Sequence, residues 1–79
     1  MPSPLEFVES VAKRLVDRPE EVRGRWVDGP EGTGFVELTV NPSDRGKIIG
    51  RRGRTIESLR SLATAAFGKT GPVGVEVEE

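Results

Sequence analysis

Four consecutive residues, Gly50-Arg51-Arg52-Gly53, stand out because glycine lies on both sides of a pair of arginines. Glycine lets a main chain turn sharply and approach another molecule closely, since it has no Cβ. Arginine donates forked, charge-assisted hydrogen bonds, and phosphate oxygens are among its preferred acceptors. These residue types at this spacing therefore predict a loop that contacts phosphate groups.

The segments on either side of the loop are predicted to be helices. Asn41 has the position of an N-cap, Pro42 follows at the first helical position, and Asp44 is predicted near the positive end of the helix dipole. This first helix is short and ends at Gly50. A second helix begins after Gly53, so its N-terminal amides and its dipole would favour an anion held by the loop.

The second helix is predicted from its apolar stripe and from Gly68, which has the position of a C-terminal glycine cap. The stripe recurs at helical spacing and consists of Ile56, Leu59, Leu62, Ala63, Ala66 and Phe67. We expect all of these side chains to face the core.

The remaining segments predict one more helix and three strands. The N-terminal helix begins with a capping box at Ser3 and Glu6 and ends near Asp17. Strands are predicted at residues 22–27, 35–40 and 73–77, and the glycine-rich connection after the first favours a hairpin. The order α-β-β-α-α-β predicts a single α+β domain over residues 1–79, with a three-stranded sheet and three helices packed on one face.

Charge is unevenly distributed along the chain. Between Asp44 and Arg60, six basic residues against two acidic ones give +4, whereas the whole chain carries −1, so the rest carries −5. A segregated charge concentrates positive potential on one surface, which is typical of a nucleic-acid partner.

Composition argues against catalysis. The chain has no Cys, His or Tyr, which excludes disulfides, thiolate or imidazole metal sites and the commonest general base. The loop lacks the Gly-Lys-Ser/Thr ending of the NTPase phosphate-binding loop. We expect a soluble, cytoplasmic protein without enzyme activity, metal, cofactor, small-molecule substrate or membrane segment.

The segment from Lys47 to Ile56 resembles the KH signature, in which an aliphatic-Ile-Gly-x-x-Gly run ends one short helix and begins the next. The element order is similar to that of type II KH domains. Length and motif position look like the KhpA (YlqC) family of small bacterial stand-alone KH proteins. This resemblance implies that the loop clamps the backbone of about four nucleotides of single-stranded RNA.

The resemblance also implies which residues bind RNA. They lie in or next to the loop and are Lys47, Ile49, Gly50, Arg51, Arg52, Gly53, Arg54 and Ile56. The two isoleucines would form the floor of an apolar groove for bases, or would belong wholly to the core. Further contacts are possible at Arg45 and Arg60, for which the alternative is a solvated helix face.

Partners follow from the same resemblance. It implies single-stranded RNA as the ligand, and a homodimer or a heterodimer with a second KH protein. It also implies a role as a post-transcriptional regulator or RNA chaperone. The alternative is a protein-interaction module that has a KH fold and only incidental RNA affinity. The role of Trp26 is left open between core packing and partner binding.

Overall fold

The computed structural model describes residues 3–69 and 71–78. Within them the element order is α1, β1, β2, α2, α3, β3, as the sequence predicted. The bounds are α1 Pro4–Leu15, β1 Arg23–Asp28, β2 Gly34–Thr39, α2 Arg45–Ile49, α3 Arg54–Phe67 and β3 Val73–Val77.

Helix α1 begins at the predicted capping box. The Oγ of Ser3 accepts a hydrogen bond from the Glu6 backbone N–H at 3.1 Å, and the Glu6 carboxylate accepts one from the Ser3 N–H at 3.3 Å. These two bonds satisfy amides that a helix start would otherwise leave unpaired. The helix turns its fully buried residues Val8 and Ala12 toward the sheet and α3.

Strand β2 lies in the middle of the sheet. It pairs with β1 in an antiparallel hairpin, where Trp26 lies opposite Val36, and with β3 in parallel, where Val36 lies opposite Val75. Parallel strands cannot be joined by a tight turn. Helices α2 and α3 provide the crossover, so the loop between them lies within the connection that brings β3 beside β2.

The core lies between the sheet and the helices. Alternate residues of β2 and β3 are buried, which confirms the predicted one-sided strands, and all three helices contact the strands or one another on this covered face. The rings of Phe7 in α1 and Phe67 in α3 lie 6.0 Å apart and tie the ends of the two helices together. The structure and the sequence agree on an α+β domain with three helices over one face.

The apolar stripe of α3 is narrower than the sequence predicted. Ile56, Leu59 and Ala63 are buried, but Ala66 is exposed and Leu62 is 56% exposed. The prediction that these two residues belong to the core was therefore wrong. Strand β3, α2 and α1 cover only part of the surface of α3, and Leu62 lies outside that part.

Trp26 belongs to the fold. Its side chain lies on the covered face of β1 and packs against the core. A Cβ on Gly34 would overlap the indole ring, so the glycine makes room for it. The indole Nε1 donates a hydrogen bond to Asp28 at 2.8 Å, which satisfies the polar end of the ring.

In the described part of the chain, no helix is both long and apolar enough to cross a membrane.

Candidate nucleic-acid interface

The loop between α2 and α3 is a short turn with three residues at positive φ. Gly50 ends α2 with φ 78°, and Arg52 and Gly53 follow with φ 58° and 73°. A single 3₁₀ turn, Arg51–Gly53, connects the two helices. Left-handed backbone of this kind favours glycine, which accounts for two of the three residues. Arg52 adopts it in spite of its Cβ.

Gly53 faces open space. Apart from the chain neighbours of Gly53 and the backbone of its own helical turn, no atom of the described residues lies within 4 Å of the position that a Cβ on Gly53 would take. Gly53 is also the N-cap residue of α3, and no side chain caps this helix. The start of a 14-residue helix is therefore open to an anion from outside.

The amides of the two glycines are used inside the fold. The Gly50 N–H donates to the Gly46 carbonyl at 2.8 Å, and the Gly53 N–H donates to the Gly50 carbonyl at 3.1 Å. The Arg54 N–H, at the first position of α3, likewise donates to the Arg51 carbonyl. A phosphate at the loop would therefore be met by guanidinium groups and by the positive end of the α3 dipole, not by these amides. The glycines contribute shape and access.

Three arginines surround this opening. Arg51, Arg52 and Arg54 are exposed, and their side chains form no hydrogen bond or ion pair with any described residue. Arg45, at the start of α2, is half-buried and is likewise unpaired within the described residues. Guanidinium groups that the fold does not use are available to an external anion.

Lys47 has partners within the fold. Its Nζ donates to the Asp17 carboxylate at 2.9 Å and lies 3.5 Å from Asp44 Oδ1. The hydrogen bond and the negative charge of Asp17 are the main causes that raise the pKa of Lys47 above its ordinary value of 10.5. The structure thus places this predicted RNA-binding lysine in an ion-pair cluster between α2 and the segment after α1.

Asp44 lies at the predicted start of α2, as its N-cap residue. It is 1% exposed, and its carboxylate accepts hydrogen bonds from the backbone N–H groups of Asp17 at 3.2 Å and Arg18 at 3.1 Å. Burial acts to raise the pKa of Asp44, but these donors and Lys47 outweigh it, so the pKa lies below 3.8.

A 3₁₀ turn, Pro42–Asp44, precedes α2, with Asn41 as its cap.

Arg60 is directed toward the sheet. Its Nε donates to the Val75 carbonyl at 3.0 Å, and its Nη2 donates to Glu76 at 3.1 Å. One turn later, Thr64 Oγ1 accepts a hydrogen bond from the Val73 N–H at 3.0 Å. These α3 side chains cover part of the free edge of β3. Arg60 is therefore separated in role from the unpaired arginines at the loop.

The two predicted groove isoleucines have different surroundings. Ile56 is 7% exposed and belongs to the core, whereas Ile49 is 40% exposed at the end of α2, directly before the loop. The structure therefore brings Ile49, but not Ile56, to the surface beside the arginines.

Two depressions run along α3. The one that begins at the loop has a volume of about 560 Å³ and is lined by Arg54, Glu57, Ser58, Ser61 and Leu62. The other, of about 480 Å³, lies between α3 and the start of β3 and is lined by Arg60, Ser61, Thr64, Ala65, Pro72, Val73 and Gly74. The serines and threonine were not singled out from the sequence, although their spacing on one side of the helix was visible.

Comparison with known proteins agrees with this geometry. The family model described as "KhpA/KhpB, KH domain" matches residues 5–78. The RNA-binding protein KhpA of Chlamydia muridarum is 44% identical over 75 residues, covering 94% of this chain and 95% of that protein. The proteins of the same name from Borreliella burgdorferi and Aquifex aeolicus are 44% and 42% identical over 66 residues, covering 84% of this chain and 79% and 82% of theirs.

The match spans both helices around the Gly-x-x-Gly loop and all three strands. It also covers between 79% and 95% of the length of these relatives, so a shared motif alone does not account for it. The chain belongs to the KhpA/KhpB family of KH domains.

Proposed function

We propose that this protein binds a short unpaired stretch of RNA and holds its sugar-phosphate backbone at the loop from Gly50 to Gly53. The observation that carries the proposal is the group of exposed, unpaired guanidinium groups of Arg51, Arg52 and Arg54 around the uncapped start of α3. The relatives' name, RNA-binding protein, supports RNA as the ligand.

The phosphates and the bases of the RNA contact different residues. The three arginines contact phosphates, and Arg45 is a further candidate for such a contact. The open space at Gly53 lets the RNA backbone approach the loop. The exposed Ile49, directly before the loop, provides apolar surface for a base. KH domains hold about four nucleotides. Since each neutralised phosphate of a single strand contributes about 0.7 to the salt dependence, about three contacts give a slope near −2.

Binding of this kind reads the backbone more than the bases, which suits a protein that serves many transcripts. We therefore assign the protein a non-catalytic role in the cytoplasm, as a post-transcriptional regulator or RNA chaperone. The finding in support is the loop itself, where paired arginines favour affinity for any strand over recognition of particular bases.

The decisive experiment reverses charge at the loop. Arg51→Asp with Arg52→Asp should abolish binding of a fluorescently labelled single-stranded RNA, measured by anisotropy, with a circular-dichroism spectrum and melting temperature near wild type. The matched control is Lys13→Asp with Arg14→Asp, an equal charge change on two exposed residues at the end of α1. Loop-variant affinity equal to that of the control would contradict the proposal.

Pairing with a second copy, or with a second KH protein, is the other part of the proposal. The exposed Leu62, between the small side chains of Ser58 and Ser61 and that of Ala65, supports α3 as the contact surface. Joining two short binding sites raises avidity without new RNA contacts. Sedimentation should give a larger mass in solution for the wild-type protein than for the Leu62→Asp variant. Equal masses would exclude this part of α3 as the contact surface.

A module built only for protein interaction would behave differently. It would associate with another chain and ignore RNA, so the sedimentation of the wild-type protein would not change when short RNA is added. We expect the RNA to co-sediment with it.

A further inference from the structure

Asp44 is the one charged side chain that is buried among the described residues. It lies at the start of α2 and reaches back across the chain to the segment after α1. Both carboxylate oxygens are used: Oδ1 accepts from the Asp17 N–H and Oδ2 from the Arg18 N–H. Its hydrogen bonds therefore join the beginning of α2 to the end of α1.

This junction matters because α2 has only five residues. A helix so short has little stability of its own, so contacts with the rest of the fold must determine its orientation. Ile48, which is 0% exposed, anchors one side of α2 in the core, and Asp44 anchors its beginning. Gly50 follows α2 directly, so any rotation of α2 would move the loop.

Lys47 completes the junction from the outside. Its ammonium group lies between Asp17, at 2.9 Å, and Asp44, at 3.5 Å. The cluster thus consists of one cation between two carboxylates, with Asp44 beneath it and Asp17 exposed. A lysine that neutralises two neighbouring carboxylates is a poor candidate for a phosphate contact, in contrast to the unpaired arginines.

We propose that Asp44 and Lys47 are positioning residues, which hold α2 against the end of α1 and thereby keep the Gly50–Gly53 loop aimed at the RNA. This inference rests on the proposed function of the loop. It assigns the charge of Lys47 to the junction, whereas the sequence predicted an RNA contact for it.

The two roles of Lys47 differ in their dependence on salt. If a variant lowers the fraction of molecules whose loop is correctly oriented, the apparent affinity falls by that fraction while the number of phosphate contacts stays the same. Loss of a phosphate contact instead reduces the salt slope by about 0.7. A positioning residue therefore gives weaker binding with an unchanged slope.

The experiment measures RNA affinity at several salt concentrations for Lys47→Met and Asp44→Asn. Lys13→Met, an exposed lysine on α1, is the control for charge, and Val36→Ala, a buried residue of β2, is the control for lost stability. All measurements are made well below each melting temperature. We expect affinity to fall about threefold for Lys47→Met and about tenfold for Asp44→Asn with unchanged slopes, and to change less than about twofold for both controls.

A second readout does not involve RNA. The amide NMR signals of Gly50 and Gly53 in the free protein should shift in Asp44→Asn and stay in place in Val36→Ala, because only the first variant reorients α2.

Several outcomes would overturn the inference. A slope reduced by about 0.7 in Lys47→Met would make the lysine a phosphate contact. Wild-type affinity in Lys47→Met, or affinity in Asp44→Asn equal to that of Val36→Ala, would remove the positioning role. If Asp44→Asn does not fold, Lys47→Met decides alone. Failure of the proposed function is separate, because it appears as wild-type protein that ignores RNA or as full binding by the Arg51→Asp, Arg52→Asp variant.

Discussion

Thr55 occupies the space that a side chain on Gly50 would need. A Cβ on Gly50 would lie 2.6 Å from the Thr55 Cβ and 2.8 Å from the Thr55 backbone nitrogen. Thr55 belongs to the first turn of α3, so the start of this helix closes directly over the end of α2. The two glycines of the loop are therefore required for different reasons, Gly50 by this contact as well as by its positive φ and Gly53 by its positive φ alone.

Substitution should separate these two reasons. Gly50→Ala places a Cβ against Thr55 at a φ of 78°, and we expect the free energy of unfolding to fall by about 2–4 kcal/mol. Gly53→Asn meets open space, and asparagine tolerates left-handed backbone, so a loss below about 1 kcal/mol is expected. Urea denaturation of both variants measures the difference. Equal losses would show that contact with Thr55 does not matter.

Arg52 is expected to lower the stability of the protein and to strengthen RNA binding. Its φ of 58° and ψ of 28° lie in the left-handed region, which costs a non-glycine residue about 1 kcal/mol. Arg52→Gly should therefore raise the melting temperature, weaken RNA binding and reduce the salt slope by about 0.7. Arg51→Gly removes the same charge without relieving positive φ, so it should weaken binding without a gain in stability. A melting temperature that falls equally in both variants would contradict this account.

The junction at Asp44 should make stability depend on pH in the acid range. Because the pKa of Asp44 in the folded protein lies below 3.8, its contribution is present above the unfolded-state pKa and is lost as pH falls through the folded-state pKa. The difference in unfolding free energy between wild type and Asp44→Asn should therefore be larger at about pH 7 than at about pH 3. Glu57→Gln, on the exposed side of α3, is the control, and urea denaturation is the measurement. A difference independent of pH would show that the carboxylate charge does not act.

Arg60 should behave as part of the sheet. Arg60→Met removes the hydrogen bonds to Val75 and Glu76, and we expect a loss of about 1 kcal/mol and a melting temperature lower by roughly 4–8 °C. The salt slope of RNA binding should stay that of wild type. A slope reduced by about 0.7 would instead show that Arg60 leaves β3 to contact a phosphate.

Much of the fold follows from local signals in the sequence. The Ser3 capping box, the alternation in β2 and β3 and the glycines that end α2 and begin α3 all act through residues within a few positions of one another. The backbone chemistry of each element is local, so the sequence alone predicted the elements, their order and the basic loop. The placement of Arg51, Arg52 and Arg54 at an exposed turn follows from the same signals.

Only the tertiary structure decided which charged and apolar side chains remain available. Lys47 and Asp17 are 30 positions apart, and Asp44 meets the Asp17 amide from 27 positions away, so no local pattern encodes their contact. The exposure of Leu62 likewise depends on how wide a sector of α3 the small sheet can cover. Residue type and spacing determined which groups could bind an anion. Long-range packing determined which of those groups are already buried or ion-paired within the fold, because burial and ion pairing arise only when distant segments meet.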